Sequence, residues 1–523
     1  MGYNEEPKNP IDRVTTTTSI TAADDVKSSS DVAPGDTALA NAAFRYKMIA
    51  LITALMLPVG SHFSGTALGA MKSELKNHLG IDNTRYGVVS ASVSIVNTIF
   101  PVAGGIFIDR FGSVWGTLGV SLCIITGSLL TALAGRLTSF PLMVAGRVIF
   151  GIGSGLIVTM QESLLSKWFR TQSLSIAIGI QLSVSQLASF LGTLAANPLA
   201  ARTGNWVWPF WLSLILCGFS MIMNVVYALM VRHLSGNGKK EGATTTTATT
   251  TRRKKFQFRS ILKFPWLFWL IITIEFLYAA VWSSFQTIST ELVQVHFGTT
   301  SVIAGYKASA SVVVPIVATP ILGLIMDLFG FRICILLLSS IFLILSSALL
   351  GWTYVDAVVG MVFYSISLAF GPIAMITSIG MVLPSDYIGT GLGLYKSSNN
   401  IGTCILDIIV GVIQDRTANQ GYTGVMLLYI ILAAIGFILI TSLLISQRIC
   451  LNNLLETKRN KRLLMMKEKH EQEMELISSG KDAFSNSSTI KPISCAFAIL
   501  LGCALIVAWV LFFVYAASGK TQS

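Results

Sequence analysis

The chain has 523 residues, 53% of them hydrophobic and only 12% charged, with a mean hydropathy of +0.69 and a formal net charge of +12. Soluble proteins carry about a quarter of their residues as charges, so this composition excludes a cytosolic enzyme, a secreted disulfide scaffold and a wholly disordered protein. The basic surplus lies between and after apolar segments, where it reads as membrane-orienting charge and attraction to anionic lipid, not as a nucleic-acid surface.

Residues 1–44 are polar, rich in Thr, Ser and Asp, and lack the early apolar run of a cleavable signal, so they read as a disordered cytoplasmic tail. A spanning helix needs about 20 mostly apolar residues. Such segments follow at 46–70, 86–108, 114–134, 140–160, 174–196 and 207–231, an N-terminal six-helix bundle over 45–231. A basic, Thr-rich cytoplasmic linker over 232–263 precedes six more at 264–285, 302–326, 333–352, 357–383, 388–413 and 422–445, a C-terminal bundle over 264–446. Residues 447–491 mix charges with leucines and methionines and read as an amphipathic helix on the inner membrane surface or as a solvated coiled segment. An extra transmembrane helix is expected over 492–518. The expected fold class is an all-α membrane protein of two six-helix bundles plus this thirteenth C-terminal helix.

Arg45 and Lys47 flank the first span, and the linker carries Arg232, Lys239, Lys240, Arg252, Arg253, Lys254, Lys255, Arg259 and Lys263 against one acid, Glu241. An excess of Lys and Arg marks cytoplasmic loops, so the N-terminus is expected in the cytoplasm. The cysteines show no pairing pattern and read as small reduced hydrophobes. No phosphate-binding loop, HExxH or GxSxG occurs, so neither an ATP-driven pump nor an enzyme is expected, and no cofactor or metal.

A short motif recurs at corresponding turns of the two halves. Gly105-Ile-Phe-Ile-Asp109-Arg110-Phe111-Gly112 follows span two, and Gly323-Leu-Ile-Met-Asp327-Leu-Phe329-Gly330-Phe-Arg332 follows span eight. Both read G-x-x-x-D-x-F-G, the mark of a duplicated six-helix unit. The glycines allow close helix approach, and the aspartate can sit at the positive N-terminus of another helix and hold a gate shut. On these residues, and on Gly146-Arg147-x-x-x-Gly151-x-Gly153 in span four, the chain resembles the major facilitator superfamily.

Four shorter stretches resemble the lysosomal dipeptide transporter branch of that superfamily: Gly60-Ser61-His62-Phe63, Trp168-Phe169-Arg170, Gly179-Ile-Gln181-Leu-Ser183, and Gly389-Thr390-Gly-Leu-Gly393 continuing to Ser397, Asn400 and Gly402. The branch carries an acid shortly after the span-four glycines and an arginine late in span five, where this chain has Gly155 and Gln186. The resemblance implies transport of dipeptides or amino-acid-like solutes at a lysosomal or vacuolar membrane, with an accessory membrane subunit as a further expected partner.

Charges within spans cost at least about 2.5–3.5 kcal/mol on insertion scales, which marks the remaining candidates. At about 100° per residue, Lys396, Asn400, Thr403 and Asp407 share one sector of span eleven, bordered by Asn399. This stripe is expected to face a wet cavity or a polar neighbour. Glu275 lies mid-span as a candidate proton or substrate ligand, with a structural acid as the alternative; His62 and Arg147 stand likewise between cavity and packing roles. Gln181 and Gln186 of span five offer uncharged partners across from span eleven. The expected substrate set is His62, Arg147, Gln181, Gln186, Glu275, Lys396, Asn399 and Asn400. The expected gating set is Gly105, Asp109, Arg110, Gly112, Glu162, Gly323, Asp327, Gly330, Arg332 and Asp407, with Glu162 expected to bond Arg110 or Lys167. Alternating access for a small solute is the leading expectation. A proton-coupled carrier of another solute, and a non-transporting receptor or trafficking partner, are the alternatives.

Overall fold

The computed structural model describes residues 43–101, 113–169, 171–238, 261–384, 387–478 and 492–518. The first loop motif (Gly105, Asp109, Arg110 and Gly112), the tail and most of the linker lie outside the described residues. No β-strand occurs among those described. The end of the bundle at which the chain starts is called proximal below, and the other end distal.

Pro58 lacks an amide proton and divides the first span into α1 (Phe44–Met56) and α2 (Val59–Ala70). A short distal helix, α3 (Lys72–Leu79), ends on Gly80, whose φ of 61° suits a residue without a side chain. The Asp82 carboxylate then accepts from Arg85 N at 2.7 Å and starts α4 (Asn83–Asn97). The N-terminal bundle is completed by α5 (Ser113–Leu137), α6 (Phe140–Trp168), α7 (Thr171–Thr203) and α8 (Trp208–Gly238).

The C-terminal bundle opens with α9 (Trp266–Phe297), the most deeply packed helix. Thr300 caps α10 (Ser301–Ser309), and a 3-10 turn at Ala310–Val312 separates it from α11 (Val313–Phe329) within one span. Then come α12 (Arg332–Trp352), α13 (Ala357–Val382), α14 (Ile388–Arg416) and α15 (Thr423–Cys450). Two further helices follow, α16 (Arg459–Ser478) and α17 (Pro492–Ser518). Eleven of the described segments are long and apolar enough to cross a membrane, α17 among them. Lys396, Asn399, Asn400 and Asp407 lower the hydropathy of α14, and only 15 residues of α4 are described. The two bundles meet along α4 against α14, α2 against α9, and α7 against α10 and α11.

Helix α16 does not sit free. Its Arg462 guanidinium, 4% exposed, donates to the Asp327 carboxylate at 2.5 Å and to the Asp327 and Met326 carbonyls. Arg459 lies 3.7 Å from the same carboxylate, and Lys469 reaches the last carbonyls of α13. Ahead of the helix, Glu456 caps the first amides of α12. The second loop motif is therefore engaged by the segment that follows span twelve, not by the N-terminus of another spanning helix. The preceding 3-10 turn at Leu454–Glu456 folds the chain back under the bundle, where arginine satisfies the aspartate with both charge and donors. Gly330 enables this docking: its φ is 86°, and an added Cβ would lie 2.5 Å from the Glu456 carbonyl oxygen. Gly330→Ala is expected to loosen the strap by about 1–3 kcal/mol through overpacking and strain, read as faster tryptic cleavage within α16.

Candidate functional site

Charged and polar side chains concentrate along the seam between the bundles, in three tiers. At the distal end the Lys72 ammonium of α3, 1% exposed, reaches Glu291 of α9 at 2.7 Å, Gln414 of α14 at 2.7 Å and the Tyr422 hydroxyl at 3.0 Å. Lys76 meets the other Glu291 oxygen at 3.0 Å, and Tyr422 also donates to Glu291. Beside them Asp415 of α14 accepts from the Asn83 and Thr84 amides at 3.0 and 2.8 Å and from both side chains. The same carboxylate thus covers the first amides of α4, where the helix dipole favours negative charge. All of these bonds except that of Tyr422 to Glu291 cross between bundles.

The backbones are as close as the side chains. A Cβ on Gly87 of α4 would lie 2.5 Å from the Asp407 carbonyl oxygen, and one on Gly411 of α14 would lie 2.4 Å from that of Asn83. These two glycines let α4 and α14 touch, and the distal seam is shut.

Burial outweighs the attraction of Glu291 and pushes the Lys72 ammonium down to about 8. The closed seam therefore holds this proton less tightly than an open, hydrated one. Raising the pH from about 8 toward the ordinary 10.5 releases the proton only in the closed state and so favours closure. Between about pH 5 and 7 Lys72 is protonated in both states, and its own contribution is flat. Distal accessibility to a water-soluble thiol reagent at an engineered cysteine is expected to follow that profile in the Lys72-containing protein and lose its alkaline limb in Lys72→Met.

In the middle tier the Glu275 carboxylate of α9, 1% exposed, accepts from Asn399 Nδ2 of α14 at 2.8 Å, with Tyr395 as its other polar neighbour. Asp407 is 4% exposed and accepts from Ser90 of α4 at 2.7 Å. The expected stripe on α14 is thereby divided. Lys396, Asn399 and Asn400 are half-buried, whereas Thr403 and Asp407 are buried, Asp407 at the contact with the opposite bundle. Asn400 turns back on its own helix and donates to the Lys396 carbonyl at 2.7 Å.

At the proximal third, Lys396 Nζ approaches Glu162 of α6 at 3.5 Å and the Thr159 hydroxyl at 3.2 Å. The partner of Glu162 is thus Lys396; Arg110 lies outside the described residues, as does the Lys167 side chain. The Lys396 and Glu162 side chains are 29% and 39% exposed, against 1% and 5% for Lys72 and Glu291. Among the described residues, one seam closure is buried and heavily bonded, and the other is a 3.5 Å ion pair with partly exposed side chains.

The remaining candidates do not join these tiers. Arg147 is buried over the Phe150 ring, 4.8 Å from its centroid, with Nε unpaired. Gln181 is buried with its carbonyl oxygen unpaired, while His62 and Gln186 are half-buried. Gly323 packs against Ile373, and Arg332 is buried, bonding Thr377 and the Leu455 carbonyl. At Gly155 the Cβ position is taken by the Asn97 amide, 1.8 Å away, so a side chain there would displace Asn97. The sequence reading missed Lys72, Lys76, Glu291, Asp415 and Tyr422. They stand at span ends, where charges are ordinary, and only their convergence across the seam sets them apart.

Residues 54–405 and 272–521 match the sequence model of the Major Facilitator Superfamily. The lysosomal dipeptide transporter MFSD1 of Homo sapiens is 25% identical over 414 residues, covering 77% of this chain and 87% of that protein. The MFSD1 of Danio rerio is 24% identical over 381 residues, covering 71% of this chain and 81% of that protein. Among solved structures, the xylose transporter XylE from E. coli in a partially occluded inward open conformation superposes with a TM-score of 0.57 at 13% identity, covering 76% of this chain and 97% of that one. The nucleoside transporter NupG superposes with a TM-score of 0.54 at 14% identity, covering 77% of this chain and 98% of that one.

Proposed function

The chain belongs to the major facilitator superfamily of multi-pass membrane transporters, and from that premise we propose that it carries dipeptides or similar zwitterionic solutes by alternating access across a lysosomal or vacuolar membrane. The observation that carries this reading is the inequality of the two seam closures. A dry distal lock of Lys72, Lys76 and Glu291 opposes a proximal pair, Lys396 with Glu162, that is 3.5 Å apart and half-exposed. Such a molecule opens proximally at little cost, and opens distally only by separating buried charges. With the N-terminus in the cytoplasm, distal is the lumenal side.

The dipeptide assignment draws on the MFSD1 relatives and on the charges of the proximal pair and of Glu275 beside it. A zwitterion needs an acid and a base, and Glu162 or Glu275 with Lys396 offer them on facing helices. In the empty site Lys396 and Glu162 neutralise each other. A solute with both charges replaces that contact at each end, whereas a singly charged one strands a partner. Uptake of a labelled dipeptide into proteoliposomes, with and without a pH gradient, tests the reading. Saturable uptake is expected, with Lys396→Ala lowering it by more than tenfold, as loss of a charged hydrogen bond of about 1.5–3 kcal/mol requires. Absence of uptake by folded protein discards the peptide class. A proton-coupled carrier of another solute is the second reading, favoured by Gly155 and Gln186 standing where the dipeptide branch has its acid and arginine. Accumulation driven by the gradient and lost in Glu275→Gln would mark Glu275 as the coupling acid.

A further inference from the structure

Helix α17 lies outside the two six-helix bundles and runs over the lipid-facing side of the seam, against α4 of one bundle and α14 and α9 of the other. Its inward residues Ala508 and Phe512 close a cluster with Val88, Ala91 and Ile95 of α4 and Ile401, Cys404 and Ile408 of α14. Any rocking of the bundles shears α4 against α14, so α17 cannot stay fixed to both.

Its attachments are unequal. On the C-terminal side the Ser494 hydroxyl, fully buried, donates to the Phe264 carbonyl at 3.0 Å, just ahead of α9. Phe497, Ala498 and Leu501 pack on the main C-terminal core, and the Cys404 thiol points at the Ala508 carbonyl from 3.9 Å. The chain also reaches α17 from α16, which is pinned to Asp327 of that bundle. On the N-terminal side the contact is apolar, aliphatic residues of α4 with Phe100 and Phe140 against Trp509, Phe512 and Tyr515, and among the described residues one polar bond crosses it, from Trp509 Nε1 to the Thr98 hydroxyl at 3.3 Å. Apolar surfaces carry few directional bonds and slide at low cost, whereas a buried hydroxyl–carbonyl bond is costly to leave unmade.

We propose that α17 is a moving part of the C-terminal bundle, riding with α9 and α14 and sliding along α4 as the distal seam opens. The proposal rests on the alternating-access reading above, and the experiment separates the two. Distance labels are introduced as non-canonical residues at Arg85 of α4, Arg416 of α14 and Ala517 of α17, leaving the seven native cysteines in place. Pairwise distances are read by pulsed electron paramagnetic resonance in the otherwise unaltered chain and in Glu291→Ala, which unlocks the distal seam. The expected result is a longer Arg85–Arg416 distance in Glu291→Ala, an equal lengthening for Arg85–Ala517, and no change for Arg416–Ala517. Lengthening of Arg85–Arg416 with Ala517 remaining at its distance from Arg85, or leaving both partners, overturns the proposal alone. A fixed Arg85–Arg416 distance both in Glu291→Ala and in Gly87→Leu, whose added side chain would collide with the Asp407 carbonyl of the closed seam, overturns alternating access itself and the proposal with it.

Discussion

Glu291→Ala is expected to open the distal seam and leave the protein folded but unable to complete a transport cycle. The substitution strands the Lys72 ammonium in a site where it is 1% exposed and removes the acid shared with Lys76. Removing one partner of a buried ion pair costs about 3–5 kcal/mol. Conformational states of one protein differ by only a few kcal/mol, so the distal-open form should become the majority state. A cysteine at Thr287, which lines the crevice beside Lys72 and Asp407, should then react with a water-soluble thiol reagent at least a hundredfold faster. The companion variant guards against unfolding as the cause. Replacing Lys72 and Lys76 by Met together with Glu291 by Leu exchanges the charges for apolar volume, an exchange that is often neutral or stabilising. It should slow the labelling again. If Glu291→Ala labels no faster than the unaltered seam, the lock is not what holds it shut.

Gly87→Leu tests the same closure through shape. Any side chain at 87 collides with the Asp407 carbonyl of α14, which a bare Cβ would approach to 2.5 Å. Overpacking a tight contact costs about 1–3 kcal/mol for small insertions, and leucine exceeds a small insertion. Because the collision exists only when the bundles are closed distally, the variant should be normally stable in detergent yet transport more than tenfold more slowly, with distal labelling raised. Gly411→Ala, facing the Asn83 carbonyl at 2.4 Å, should act in the same direction with a smaller effect. Transport at the unaltered rate by Gly87→Leu would show that this contact is not visited in the cycle.

The two loop motifs illustrate how far a linear pattern reaches. G-x-x-x-D-x-F-G at 105–112 and 323–330 announced a duplicated six-helix unit, because a repeat at matching turns needs no coordinates to be seen. What Asp327 touches was not legible. The expectation was the N-terminus of another helix, and the partner is Arg462, from a segment 135 residues further on. The strap α16 read as an amphipathic or solvated segment because its charge pattern fits either, and charge alone does not reveal a docking partner.

The stripe on α14 shows the same boundary. Helical periodicity alone put Lys396, Asn400, Thr403 and Asp407 in one sector. It could not foresee that Lys396 would meet Glu162 of α6 at 3.5 Å while Asp407 would be sealed against Ser90 of α4. Fold class and membrane character were determined by the sequence itself, since lipid demands runs of apolar helix wherever the chain crosses it. Which charges meet across the seam, which glycines are contact points and where the last helix lies were decided only by the tertiary structure. These depend on residues hundreds of positions apart, and the energy that joins Lys72 to Glu291 exists only once both are buried together.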